Sequence, residues 1–261
     1  MSHYDSHPPG NFVWPEHATT NAESAKQFYS AIFGWSCTDN PMGPDMVYTI
    51  ANLEDRNAAG LYSMPQMMLD KGVPPHWLTY VGVESADATA AKTKELGGEA
   101  IWGPEDIPHV GRMVVLKDPQ GAVFAAFQPG GHKGVGILGV HGTMTWVELM
   151  TTDTDAAKAF YSGVFGWTTQ TMPMPQGEYT MFVNGAKPVG GCMKLGDDMP
   201  GVPPNWVLYF DVDNCDATVA VAKENGGQEL MPAMDVPGAG RMCAMIDPQG
   251  AAFAVIQLAN R

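Results

Sequence analysis

The sequence predicts an α+β protein in which four βαβββ modules are arranged as two tandem domains. Twelve of the 22 residues in 14–35 recur at 146–167, a separation of 132 positions (146 − 14 = 132), so the chain holds two copies of one unit. Within each copy, the order of one strand, one helix and further strands occurs twice. Both copies also end in a hairpin with the same turn, DPQG, at residues 118–121 and 247–250.

The first element of each copy is a short predicted strand, at residues 12–18 and 144–150. Side chains alternate between the two faces of a strand. Trp14 and Glu16 therefore share one face, as do Trp146 and Glu148. An aromatic ring and a carboxylate point the same way in both copies.

A helix follows each of these strands. It begins after Asn21 in the first copy and after Thr152 or Asp153 in the second, because these side chains can cap a helix N-terminus. Gly34 and Gly166 stand where a glycine commonly ends a helix. Between these bounds the apolar residues recur at i, i+3, i+4, i+7 and i+8, which predicts one buried stripe.

The remaining elements complete the modules. In the first copy we predict a strand that ends at residue 38, strands at 46–51, 58–64, 77–83, 112–117 and 122–128, and a short helix between Ser85 and Gly97. The second copy has counterparts at 206–212, 241–246 and 251–257, with a helix between Asn214 and Gly226. The DPQG turns have the composition of type I turns, so we assign them a structural role.

The repeat also predicts the domain boundaries. Residues 1–10 are expected to be a disordered N-terminal segment, 11–129 the first domain, 130–142 a glycine-rich linker and 143–261 the second domain. Each domain is long enough to bury its own core. The chain is expected to be a monomer whose domains pair with each other, or a homodimer.

Charge and composition restrict the partners. The formal net charge is −14, which argues against nucleic acid and anionic membranes, because both need basic neutralisation. The sequence shows no run of transmembrane length and no signal peptide. Four cysteines without a CxxC pair indicate reduced thiols. These features predict a cytoplasmic protein whose partner is a small molecule.

The module order, the helix motifs FYSAIFGW and FYSGVFGW, and the DPQG hairpins resemble the vicinal oxygen chelate superfamily. That superfamily includes glyoxalase I, the bleomycin-resistance proteins and the extradiol dioxygenases. The likeness runs from Phe12 to Leu258. It implies two glyoxalase-like open-barrel domains, each with a cavity that holds a divalent metal in many members.

The resemblance also implies where metal ligands would stand in this chain. These positions fall on Trp14 and Trp146, near Leu78 and Val207, on Ala125 and Ala254, and near Tyr62 in one repeat and Cys192 or Met193 in the other. Apart from the cysteine, none is a credible ligand, because hard divalent metals need oxygen or imidazole. We therefore expect no metal and no other cofactor, which argues against glyoxalase I and dioxygenase chemistry.

Strand register turns several aromatic and acidic side chains toward the cavity. They predict a pocket with aromatic walls and carboxylates, suited to a flat, cationic or carboxylate-bearing small molecule. Glu16 and Glu148 are the candidate catalytic bases, since burial raises the pKa of a carboxyl. The candidate substrate-binding residues are Trp14, Tyr80, Arg112, Phe127, Trp146, Tyr209, Asp211, Arg241 and His109.

Two of these candidates have more than one interpretation. Arg112 and Arg241 occupy equivalent places in the two copies. They either pair with Glu16 and Glu148 as structural ion pairs or bind an anionic group of the substrate. Asp211 has no acidic counterpart in the first copy and therefore favours the second domain as the active one.

Three functions follow. The first is a metal-independent enzyme that binds a small organic molecule and uses a Glu base for isomerase or lyase chemistry. The second is sequestration of a ligand without turnover, as in antibiotic resistance. The third is a metal-dependent lactoylglutathione lyase or dioxygenase with unusual ligands drawn from Glu148, Asp211 or Cys192.

Overall fold

Two eight-stranded sheets, one in each half of the chain, confirm the predicted α+β fold with tandem βαβββ modules. The structure is a computed structural model, which describes residues 2–44, 46–174, 177–196 and 199–260. Met1, in the predicted N-terminal segment, and Arg261, at the end of the predicted second domain, lie outside the described residues.

The first half contains ten strands and three helices among its described residues. In chain order they are β1 (Ser2–His3), β2 (Phe12–Thr19), α1 (Ala22–Phe33), β3 (Ser36–Pro41), β4 (Val47–Leu53), β5 (Arg56–Ser63), α2 (Gln66–Asp70), β6 (His76–Gly82), α3 (Ala86–Glu95), β7 (Glu99–Ile107), β8 (Gly111–Lys117), β9 (Val123–Pro129) and β10 (Ile137–Leu138). The sequence did not locate β7, which pairs with β8 at the edge of the sheet.

The second half repeats this order. Its elements are β11 (Thr143–Thr151), α4 (Thr154–Phe165), β12 (Thr168–Met174), β13 (Gly177–Asn184), β14 (Lys187–Lys194), β15 (Asn205–Asp211), α5 (Cys215–Glu224), β16 (Gln228–Val236), β17 (Gly240–Ile246) and β18 (Ala252–Leu258). Asp153 rather than Thr152 caps α4, since its side chain accepts a hydrogen bond from the Ala156 amide.

Each sheet joins two modules through their first strands. The strand orders are β3-β4-β5-β2-β6-β9-β8-β7 and β12-β13-β14-β11-β15-β18-β17-β16. At the centre, β2 pairs antiparallel with β6 and parallel with β5, and β11 does the same with β15 and β14. The first strands that carry Trp14, Glu16, Trp146 and Glu148 therefore lie in the middle of their sheets.

The helices cover one face of each sheet and pair across the two halves. Helix α1 packs against α5, and α3 packs against α4. Phe33 on α1 lies 4.6 Å from Phe210 between ring centroids, and Phe28 packs against Phe253. One hydrophobic core thus runs through both halves. We call the opposite side of each sheet its helix-free face.

The two DPQG turns tie the halves together. The Asp247 Oδ1 atom accepts hydrogen bonds from three amides of its own turn, while Oδ2 accepts the Tyr29 hydroxyl at 3.0 Å and lies 2.9 Å from His17 Nε2. The Asp118 Oδ2 atom accepts the Tyr161 hydroxyl at 3.0 Å in the mirrored contact. These turns therefore carry inter-domain contacts besides reversing the chain.

The expectation of a disordered segment over residues 1–10 is wrong for the described part of it. Strand β1 pairs with β10 in the linker, and the Tyr4 amide donates to the Gly136 carbonyl at 3.1 Å. Further along, the Trp167 indole donates to the Gly10 carbonyl at 2.8 Å. Backbone and side-chain hydrogen bonds to both halves order a segment whose composition alone predicted disorder.

Candidate functional site

A hydrogen-bonded Trp–Tyr–Glu–Tyr network occupies the helix-free face of the first sheet. The Trp14 indole donates to the Tyr48 hydroxyl at 2.9 Å, and Tyr48 donates to Glu16 Oε2 at 2.7 Å. Tyr80 donates to the other carboxylate oxygen, Oε1, at 2.6 Å. Because the indole N–H occupies the Tyr48 oxygen, the hydroxyl proton of that tyrosine is directed at the carboxylate.

The second sheet repeats the network. The Trp146 indole donates to the Tyr179 hydroxyl at 2.8 Å, and Tyr209 donates to Glu148 Oε1 at 3.0 Å. A hydrogen bond from Tyr179 to Glu148 also favours the charged form of that carboxyl. Strand pairing explains the match, since Tyr209 on β15 lies beside Trp146 on β11 as Tyr80 lies beside Trp14.

A glycine makes room for the first tyrosine of each network. Gly60 lies opposite Glu16 on β5, and Gly191 lies opposite Glu148 on β14. A Cβ atom at Gly60 would stand 2.0 Å from the Tyr48 hydroxyl, and one at Gly191 would stand 2.0 Å from that of Tyr179. Only glycine at these positions leaves the space that the hydroxyl occupies.

Burial and hydrogen bonding act on the two carboxyl groups in opposite directions. Glu16 is 9% exposed and Glu148 is 8% exposed. Burial raises the pKa of both, and the tyrosine hydrogen bonds lower it by less, so the pKa stays above its usual value. A carboxyl with a raised pKa binds and releases protons nearer neutral pH, which suits an acid–base group.

The two networks differ in what covers them. In the first domain, His132 from the linker stands edge-on to Trp14 at 4.4 Å between ring centroids and lies 5.9 Å from Phe127. Val135 packs into the same cluster. Trp14 is only 4% exposed, whereas Trp146 is partly exposed. The linker therefore covers Trp14 on the helix-free face of the first domain.

A cleft at the boundary between the two halves borders Trp146. It has a volume of about 150 Å³ and is lined by Asn11, Phe12, Leu138, Met144, Thr145, Trp146, Val147, Pro188 and Val189. A second cleft, of about 440 Å³, lies at the turn before β17 and contains Arg241 and Asp235. The first cleft borders the network at Trp146 alone, since Glu148, Tyr179 and Tyr209 are not among its lining residues.

The ion pairs with Glu16 and Glu148, one of the two interpretations of Arg112 and Arg241, do not form. Arg112 pairs with Asp87 at 2.7 Å and with Asp106 at 3.1 Å, and Arg241 pairs with Asp216 and Asp235. The reason is strand alternation. Arg112 shares the helix-covered face with Val114 and Leu116, which are fully buried in the common core, so its side chain points toward α3 and away from Glu16.

The other predicted site residues include both buried and exposed side chains. Tyr80, Phe127, Tyr209 and Asp211 are buried, and the Asp211 carbonyl also accepts the Gly142 amide at 2.7 Å. His109 is exposed in the turn before β8, with a positive φ of 63°. It therefore lies outside the network.

Sequence reasoning missed three members of this region. Tyr48 and Tyr179 were not identified, although the dipeptides Tyr48-Thr49 and Tyr179-Thr180 echo each other across the repeat. His132 was assigned to a flexible linker, yet its ring packs on Trp14 and burial lowers its pKa to about 4, with a smaller contribution from His7.

The donor set does not fit the divalent metal that the resemblance implies. In the part of the chain that the structure describes, no group of three or more His, Cys, Asp and Glu side chains could hold a metal ion. Both oxygens of Glu16 already accept tyrosine hydrogen bonds. Cys192 is fully buried in the common core, so it lies on the face of β14 opposite the network and does not join Glu148.

Comparison with known proteins defines the class. Residues 12–125 match the family model of the glyoxalase/bleomycin resistance protein/dioxygenase superfamily. Residues 143–185 match the N-terminal part of bleomycin resistance protein-like sequences. The chain belongs to this superfamily, and its two sheets are therefore open-barrel domains of that fold.

Individual relatives cover nearly the whole chain. The putative glyoxylase CFP32 of Mycobacterium tuberculosis (strain CDC 1551 / Oshkosh) is 40% identical over 246 residues, which are 94% of this chain and 93% of the relative. The anthracycline biosynthesis protein DnrV of Streptomyces peucetius is 32% identical over 260 residues, 96% of this chain and 94% of the relative.

Solved structures support the same fold. The Mn(II)-bound glyoxalase from Novosphingobium aromaticivorans superposes with a TM-score of 0.66 at 14% identity and covers 95% of this chain and 82% of its own. That neighbour binds a metal, which leans against the expected absence of one here, whereas the donors of the described residues do not match such a site. Within the described residues, no helix has the length and apolar character needed to span a membrane.

Proposed function

We propose that this chain binds a small organic molecule with a flat ring on the helix-free face of the second domain, and that Glu148 serves there as an acid–base group. The observation that carries the proposal is the buried Glu148 network beside a Trp146 side chain that remains partly exposed. Aromatic faces beside a few fixed polar groups are typical of small-molecule sites.

The chemistry proposed for the site is proton transfer without a metal. Glu148 accepts a proton from a carbon acid of the ligand. The Tyr209 hydroxyl donates a hydrogen bond to Glu148 at 3.0 Å, and this bond weakens when the carboxylate gains the proton. Burial supports this role because it raises the pKa of Glu148. Isomerisation and lyase reactions that break a C–O or C–C bond both begin with such a step.

Ligand sequestration without turnover is the second candidate. It is favoured by the tyrosine hydrogen bonds to the Glu148 carboxyl, which leave it fewer free acceptor positions. The match of residues 143–185 to bleomycin resistance protein-like sequences also favours it. Stoichiometric binding without product would select this candidate over an enzyme.

The test begins with metal content and then separates binding from turnover. Elemental analysis of untagged protein purified without chelators should find no stoichiometric transition metal, and a stoichiometric one would overturn the metal-free proposal. A library of flat carbonyl compounds is then screened by tryptophan fluorescence. Glu148→Gln should abolish turnover of any compound that reacts, while uncharged flat compounds still bind. If Glu16→Gln abolishes turnover instead, the assignment to the second domain is wrong.

A further inference from the structure

We infer that the ligand of the second domain carries a positive charge, a protonated amine on a flat apolar body, held by Glu148 and the aromatic faces around it. This inference rests on the proposed function, because it names the charge of the molecule that the same site binds.

The first support is the charge balance of the site. Glu148 is buried among hydrogen-bond donors that are neutral, Tyr179 and Tyr209. No lysine or arginine in the described ranges, 2–44, 46–174, 177–196 and 199–260, forms an ion pair with it. A buried carboxylate is costly unless a cation compensates its charge. Glu16 is buried in the same way, but the linker covers Trp14 in the first domain. We therefore assign the compensating cation to a ligand of the second domain, where Trp146 is partly exposed.

The second support is the position of the arginines. A carboxylate-bearing ligand would need Arg241, which instead lies between Asp216 at 2.9 Å and Asp235 at 3.3 Å. Its side chain shares the helix-covered face of β17 with Cys243 and Met245, both fully buried. Arg241 therefore does not neutralise Glu148 on the helix-free face.

The third support is the composition of the walls. Trp146 and Met242 pack in one cluster with Tyr209. Met181 and Met193 are half-buried and alternate with Phe182 and Cys192, which are buried in the common core. Aromatic faces attract organic cations, and methionines adapt to irregular apolar shapes. The wall therefore fits an apolar ring that bears an amine.

Three matched naphthalene probes test the charge by isothermal titration calorimetry: 1-naphthylmethylamine, 1-naphthylmethanol and 1-naphthylacetate. On the wild-type chain the amine should bind about tenfold tighter than the alcohol, and the acetate should bind most weakly. Added salt should weaken the amine more than the alcohol. Equal or tighter binding of the alcohol or the acetate overturns the inference and leaves the proposed function standing.

Two variants localise the effect. Glu148→Gln should bring the affinity for the amine down to that for the alcohol. Glu178→Gln removes an exposed acid on β13, which β14 separates from β11, and should leave the preference unchanged. If both variants weaken the amine equally, net charge and not Glu148 is responsible, and the inference fails. If none of the three probes binds the folded wild-type chain, the proposed aromatic site itself is wrong.

Should Glu148→Gln fail to fold, the wild-type chain still decides. Lowering the pH protonates the carboxyl, so affinity for the amine should fall while affinity for the alcohol stays constant. A parallel fall for both probes would contradict the inference.

Discussion

In the first domain, the linker places His132 and Val135 against the Trp–Tyr–Glu–Tyr network, whereas in the second domain a cleft of about 150 Å³ reaches Trp146. The hydrogen bonds of the two networks are nearly the same. The difference therefore lies in the cover and not in the polar groups. The carboxyl groups are equally buried in both repeats, and the difference is that Trp14 is covered whereas Trp146 is partly exposed.

The largest expected effect concerns the contacts that hold the two domains together. Asp247→Asn breaks a buried contact with His17 and should destabilise the chain by about 3 kcal/mol. Asp118→Asn is the matched control. The position equivalent to His17 in the second copy is Leu149, which cannot make the contact that His17 makes with Asp247. Asp118→Asn should cost about 1 kcal/mol, since it weakens only the Tyr161 hydrogen bond. Urea unfolding measures both, and equal losses would show that His17 contributes nothing.

The next effect tests whether the closed network is also the more rigid one. Gly60→Ala forces its Cβ onto the Tyr48 hydroxyl and should cost about 2 kcal/mol, as overpacking does in a core. Gly191→Ala creates the same overlap with Tyr179, but the open second domain lets that ring move outward.

Thermal unfolding of the two alanine variants checks this comparison. Gly60→Ala should lower the melting temperature more than Gly191→Ala does. The opposite order would contradict the view that the linker fixes the first network in place.

A smaller effect is expected from the linker cover. His132→Ala should cost about 1 kcal/mol of apolar burial and admit acrylamide to Trp14, with more fluorescence quenching than in the wild-type chain. The additional quenching should disappear in the double variant that also carries Trp14→Phe. Unchanged quenching in His132→Ala would mean that the histidine does not shield this ring.

Acid should open the same cover in the wild-type chain. The pKa of His132 is lowered from 6.5 to about 4 by burial, so the unfolded chain takes up the proton first as the pH falls. The stability from this histidine is therefore present above pH 6.5 and lost as the pH drops through about 4. Quenching of Trp14 should rise over that window and stay flat in His132→Ala.

The smallest effect belongs to the surface arginines. Arg112→Ala and Arg241→Ala each remove ion pairs with partly or fully exposed aspartates, and exposed pairs contribute little because water screens them. Melting temperatures should change by about 2 °C or less. Ligand affinity should not change, and a large loss in Arg241→Ala would restore its predicted role in substrate binding.

Local patterns were sufficient for much of the fold. The repeat, the Asn21 cap and Gly34 at the end of α1 are sequence-local signals, and the structure contains all three. The shared face of Trp14 and Glu16 also follows from alternation along one strand, and both side chains join one network.

The partners of these residues required knowledge of the sheet order. Tyr48 reaches Glu16 because β5 lies between their strands and carries Gly60 there, which no local pattern encodes. His132 was assigned to a flexible segment because its glycine-rich neighbours obscure the packing of the linker on Trp14. The error on Arg112 is different, since alternation with Val114 and Leu116 already indicated the helix-covered face.

The contact between Tyr29 and Asp247 spans 218 residues, and this separation has a consequence during synthesis on the ribosome. At about 5–20 residues per second, roughly 10 to 40 s pass between the emergence of the two partners. Through that interval Phe28 and Phe33 lack the rings of Phe253 and Phe210 that cover them later. The nascent first half thus exposes an aromatic surface that is prone to aggregation. A chaperone or slow translation of the second half would govern the yield of folded protein.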